Sequence, residues 1–281
     1  MKQLLTYLFI VLMSTNGCAQ VKSIPESRPD SPHVASVFTL EQVIPGSYDR
    51  FEVDAIGNVY LLKEGQLKKI SPAGDSMAVF NDVRRFGVPT SFDATNPFKT
   101  LLYYKPYATI VLLDNMLSNR GVVNLRKSEI FSANAVGVSY DNKLWVFDEQ
   151  DFKLKKLNED GRILLESNDL RQAAELAPQP DVLFDSEGTV YLYDPNLGFV
   201  LLDYYGTYLQ TLPFKGWGSV SASKNTLFGF RDGLLFTYEM KSLQIKEYKL
   251  PPTFEGMISM RSMGGKLYLH KKDAIEIYRI P

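Results

Sequence analysis

Beyond residue 35 the chain is a succession of short runs in which apolar and polar positions alternate, separated by turn-forming clusters. Alternation with a period of two turns one side of a segment to a core and the other to water, so each run predicts a β-strand. The stretch VLFDSEGTVYLYDPN (182–196) sets Asp185–Gly188 between two such runs and predicts a hairpin. One segment departs from the pattern. SNDLRQAAELAPQP (167–180) carries N-cap residues and good helix formers and stops at Pro178, predicting one short helix in a loop.

The hairpin has counterparts. DAIGNVYLLK (54–63) and SYDNKLWVFD (139–148) repeat its turn residue, Gly or Asn, and aromatic-rich strand. Weaker copies are PFKTLLYYK (97–105), SKNTLFGFR (223–231) and MGGKLYLHK (263–271). The first apolar residues of these strands are Val59, Leu101, Leu144, Val190, Leu227 and Leu267, at intervals of 42, 43, 46, 37 and 40. Periods of this size mark a propeller whose repeat is a four-stranded blade. After each motif come further strands and a turn carrying Gly74, Gly161 or Gly206.

These units resemble the NHL-like and related six-bladed β-propellers over roughly residues 36–281. The resemblance implies an all-β ring and says little about activity, because such rings host many tasks. The sixth unit ends after three strands, while VASVFTLEQVI (34–44) is a strand without a hairpin partner. Pairing it with 274–280 completes the last blade and removes the exposed edges at the seam. A seventh blade would have to fit within 105–135, which is too short for one.

The chain opens with MKQLLTYLFIVLMSTNGCAQ, a basic start and a ten-residue apolar stretch followed by small and polar residues. That is half the length of a membrane-spanning helix and has the form of a secretory signal peptide. Cys18, the only cysteine, follows Gly17 and resembles a bacterial lipobox. Cleavage after Ala19, which discards the cysteine, is the other reading. The expected organisation is a signal peptide over 1–18, a Pro-rich linker over 19–34 and a propeller over 35–281. The linker reads as extended, suited to holding a domain away from a lipid anchor. No acidic cluster follows Cys18, so the expected address is the periplasmic side of the outer membrane; a soluble periplasmic protein and the cell surface are the alternatives.

Net charge is −1, which gives no electrostatic ground for a nucleic-acid partner. There are two histidines, His33 and His270, so a zinc site built from Cys and His is not expected. No phosphate-cradling loop, nucleophile elbow or EF-hand spacing is present. No catalytic residue, metal ligand or cofactor is assigned. Asp54, Asp93, Asp141 and Asp185 recur near the first turn of four blades; sugar-lactone-hydrolysing propellers hold a divalent metal with such residues. Bonding to nearby backbone amides is the preferred role. The tyrosines of the strands, and Trp145, read as core.

The connections entering each blade carry Arg or Lys beside aromatics: Arg50, Arg84, Arg85 and Phe86, Arg126 and Phe131, then Phe214, Lys215 and Trp217. Aromatics and arginine dominate binding hot spots. The expectation is a non-enzymatic binding or scaffold propeller that docks an envelope protein on this face, as an accessory of an outer-membrane assembly or secretion complex. The alternatives are a metal-dependent lactonase, hydrolase or lyase working in the channel, and a carbohydrate-binding module with a glycan stacked on Trp217.

Overall fold

The computed structural model describes residues 38–175, 177–223 and 225–279. The expected signal peptide with Cys18, and the linker over 19–34, lie outside the described residues. The strands are β1 (Thr39–Pro45), β2 (Arg50–Val53), β3 (Val59–Lys63), β4 (Gln66–Ile70), β5 (Ser76–Asn81), β6 (Ser91–Asn96), β7 (Lys99–Tyr104) and β8 (Thr109–Leu113). They continue with β9 (Asn119–Asn124), β10 (Ala133–Val138), β11 (Leu144–Asp148), β12 (Lys153–Leu157), β13 (Ile163–Glu166), β14 (Val182–Ser186), β15 (Thr189–Asp194) and β16 (Gly198–Leu202). The last are β17 (Tyr208–Leu212), β18 (Gly218–Ser223), β19 (Thr226–Arg231), β20 (Leu234–Glu239), β21 (Gln244–Lys249), β22 (Ser259–Met263), β23 (Lys266–His270) and β24 (Ala274–Arg279).

They form six four-stranded antiparallel sheets. Blades one to five are β2–β5, β6–β9, β10–β13, β14–β17 and β18–β21, each in chain order. Blade six is ordered β22, β23, β24, β1. The N-terminal strand closes it with Thr39 opposite Arg279 and Pro45 opposite Ala274. The innermost strands β2, β6, β10, β14, β18 and β22 each approach their two neighbours, so the ring is continuous. The six residues that set the repeat spacing all sit in second strands and are buried.

The hairpin at 182–196 shows why these sequences turn where they do. Ser186 pairs with Thr189, leaving Glu187 and Gly188 as a two-residue loop, both with positive φ (53° and 84°). This turn type matches the twist of the flanking strands and favours glycine at its second position. Among the described residues helical structure is confined to single turns. The expected helix is α2 (Leu170–Ala173), capped by Asp169, which accepts from the Arg171 amide. A second turn, α1 (Val83–Phe86), forms where the sequence suggested only an irregular loop.

The core lies between blades. Tyr60, Leu62 and Leu67 of blade one pack on Phe92, Leu102 and Tyr104 of blade two, and comparable clusters fill the next seams. The seam between blades five and six has a smaller buried cluster, centred on Phe254, Met260, Leu267, Leu269 and Tyr278.

Buried lysines tie the first four blades together. Lys69 lies over the Tyr60 ring and donates to the carbonyl of Asn115 in blade two (3.0 Å). Lys99 of blade two donates to the Asn142 carbonyl and pairs with Glu159, both in blade three. Lys156 of blade three sits 3.4 Å from the centre of the Tyr204 ring of blade four and 3.0 Å from Asp141. A buried ammonium is tolerated only with such partners, so each lysine specifies which turn of its neighbour it meets.

Candidate functional site

The six inner strands enclose an axial channel of about 530 Å³. Side chains alternate along each inner strand between the two flanking blades. Arg261 of β22 therefore meets Glu52 of β2, its Nε donating to Oε2 at 2.7 Å while a terminal nitrogen reaches Oε1. Burial opposes the guanidinium charge, but Glu52 and the more distant Asp93 more than offset it and raise its pKa. Around this pair the lining carboxylates Asp49, Glu52, Asp93, Asp181 and Asp185 outnumber Arg50 and Arg261.

The recurring aspartates are bonded within the fold. Asp54 accepts from the amides of Ile56 and Asn58 and from the Tyr60 hydroxyl. Asp93 accepts from the Thr95 amide (2.9 Å) and, across the seam, from the Val138 amide (2.7 Å). Asp185 accepts from the Gly188 amide with one oxygen. Its other oxygen takes Ser139, the Tyr140 amide and the Trp145 indole of blade three. Asp141 takes the Tyr204 hydroxyl (2.7 Å) beside Lys156. Burial tends to raise the Asp141 pKa, and these two partners outweigh it, bringing it down to about 2. Short-range turn bonding was expected from the sequence; the bonds reaching into the next blade were not, because they depend on register.

His270, at the end of β23, lines the channel with 2 % of its surface exposed. Its Nδ1 is 3.4 Å from the Ser259 hydroxyl, Phe51 packs edge-on, and among the described residues Nε2 has no hydrogen-bond partner. Burial lowers its pKa, so the ring is neutral at pH 7. Among the described residues no three His, Cys, Asp or Glu side chains come together as a metal site.

The connections from each outer strand to the next inner strand form one rim, the loop face. It separates the residues singled out from sequence into two kinds. Arg50, Arg84, Arg85, Arg126, Phe131 and Lys215 are exposed. Phe86 and Trp217 are buried and do not present a docking surface. Phe86 packs on Tyr104 beneath the Arg85 guanidinium. Trp217 stacks on Phe214 and Phe236, and a Cβ on Gly229 would lie 2.3 Å from its ring. Phe214 is half-buried in the same stack. These aromatics fold inward because a ring left in water forgoes the burial that a neighbouring seam supplies. A glycan therefore has no access to the face of Trp217.

The exposed residues gather at blades two and three. Arg126 donates to the Pro106 carbonyl, and the Lys105 amide donates to Thr90, joining the loops that carry Tyr107, Val88 and Phe131. Those three side chains are each a little over half exposed. Arg84 and Arg85 lie on α1 beside Val88. Arg50 stands at the channel mouth, and Lys215 lies in the connection between blades four and five. Acidic Asp49, Glu129 and Asp181 are interspersed, so the rim is mixed in charge. The opposite rim carries exposed Ile56, Phe98, Met116, Tyr140, Tyr205 and Leu243 on its hairpin turns, a feature absent from the sequence reading because each residue is isolated in its own turn.

No family model and no curated protein matches the chain. Among solved structures, virginiamycin B lyase from Staphylococcus aureus aligns with a TM-score of 0.62 and 11% identity, covering 87% of this chain and 100% of that one. The Pan2 WD40 domain of Neurospora crassa aligns at 0.61 with 9% identity over 87% of this chain and 95% of its own. BamB from Moraxella catarrhalis aligns at 0.53 with 12% identity over 87% and 100%. At such identities the likeness establishes the propeller fold alone.

Proposed function

We propose that this chain is a non-enzymatic binding module of the cell envelope: an NHL-like propeller, lipid-anchored at Cys18 and facing the periplasm, that docks a protein partner. The partner meets the loop face of blades two and three, and the module serves as an accessory of an outer-membrane assembly or secretion complex. The observation that carries this reading is the exposure of Arg84, Arg85 and Arg126 with Val88, Tyr107 and Phe131 on loops that hydrogen bonds join to one another. Arginines among exposed apolar side chains have the composition of a binding hot spot. Arg50 and Lys215 extend the surface towards the channel and blade four.

The hydrolase or lyase alternative needs carboxylates that converge and remain available. Asp54, Asp93, Asp141 and Asp185 each accept bonds from amides, hydroxyls or a lysine of the fold, which favours the binding reading.

The test is co-purification from solubilised envelopes. Replacing Arg84→Glu, Arg85→Glu and Phe131→Ala together is expected to remove the partner, while Phe98→Ala with Tyr205→Ala on the opposite rim retains it. The reverse pattern overturns the assignment. Mass measurement of the mature N-terminus tests the anchor: a diacylglyceryl group on Cys18 is expected, and an unmodified chain starting at Gln20 contradicts it.

A further inference from the structure

We infer that the seam between blades five and six is a binding site for a small amphiphile, with an apolar body in the seam and a neutral or cationic end in the channel. This inference is independent of the loop-face partner. It begins with β18, whose sequence GSVSAS alternates two kinds of side chain. Val220 and Ala222 point to blade four and join the cluster around Tyr191 and Tyr193. Ser219 and Ser221 point the other way, towards blade six, where the Ser219 hydroxyl accepts from the Met260 amide at 2.9 Å. On β22 the residues facing back are Met260 and Ser262. Ser219, Ser221 and Ser262 are thus the small side chains that the two inner strands present to this seam.

The result is a chamber of about 400 Å³ between the two blades. Its walls are Phe38, Phe228, Leu235, Tyr248, Met260 and Leu267, and its hydroxyls come from Ser219, Ser221, Thr237 and Ser262. Ser221 and Ser262 also line the axial channel, so they form a shared threshold between the chamber and the channel. Interiors are close-packed, and a space this large falls within the ordinary range for small-ligand sites, roughly 300–1,000 Å³. Apolar walls with a few convergent hydroxyls suit an alkyl chain or one or two aromatic rings. Across the threshold the excess of carboxylates over arginines disfavours an anionic end.

The test is fluorescence titration with N-phenyl-1-naphthylamine, a neutral aromatic amine, on the full chain. Saturable one-to-one binding is expected, and Ser221→Phe, which fills the threshold, weakens it by at least about tenfold. Ser262→Leu is a second filling variant, and either one that keeps the wild-type circular dichroism spectrum decides the question. Arg84→Glu with Arg85→Glu leaves binding unchanged, which separates this site from the loop face. Displacement by 1-decanol and decylamine ahead of decanoate is expected. Absence of saturable binding, undiminished affinity in a folded filling variant, or decanoate as the best competitor overturns the inference.

Discussion

The indole nitrogen of Trp145 donates to the carboxylate of Asp185 across the boundary between blades three and four, at 2.9 Å. Asp185 closes its own hairpin with one oxygen and holds the neighbouring blade with the other. One aspartate thus couples a local turn to ring assembly.

Replacing Asp185→Ala strands the indole and the Ser139 hydroxyl, and each buried donor left unpaired costs about 1–3 kcal/mol. The expected loss of stability is about 2–4 kcal/mol, measured by urea unfolding followed through tryptophan emission. Asp185→Asn keeps an acceptor and loses less.

Asp141 makes stability sensitive to strong acid. Its folded-state pKa, about 2, lies below that of an ordinary aspartate. Its contribution is therefore complete above about pH 4 and is lost as pH falls to about 2, amounting to roughly 2 kcal/mol. Asp141→Asn is expected to flatten this part of the stability–pH curve, and an unaltered curve contradicts the role given to Tyr204 and Lys156.

His270 acts nearer neutrality. Burial lowers its folded-state pKa, so the unfolded chain binds the proton more readily. Stability is complete above the unfolded-state value near 6.5 and declines as pH falls below it. Comparing thermal melts between pH 7.5 and 5 is expected to show a smaller decline in His270→Gln than in the parent chain.

Gly229 accommodates the Trp217 ring. A methyl group at this position clashes with it, so Gly229→Ala is expected to destabilise the protein by about 1–3 kcal/mol. Adding Trp217→Phe relieves part of the clash, so the pair is less than additive in denaturant unfolding.

Much of the ring was legible because it rests on local patterns. The spacing of Val59 through Leu267 identified the second strands, and the missing fourth strand of the last blade identified β1 as its closure. Trp145 shares an alternation with Tyr60 and Tyr191, and all three are buried as expected. What escaped depends on which neighbour a side chain meets. Phe86 and Trp217 sit in connecting loops beside Arg or Lys and turn inward because a seam lies beneath them. The serines of β18 carry no local mark that they face Met260 and Ser262 across a seam. Asp93 and Asp185 gave no sign of their partners in blade three, some 45 and 40 residues away along the chain.

The central claim is that the loop face of blades two and three carries the interface. A photo-crosslinking amino acid placed at Phe131, and separately at Tyr205 on the opposite rim, tests it in intact cells. The account predicts one discrete protein adduct from position 131, abolished by Arg84→Glu with Arg85→Glu, and none from position 205. A discrete adduct from position 205 with none from position 131 would contradict it.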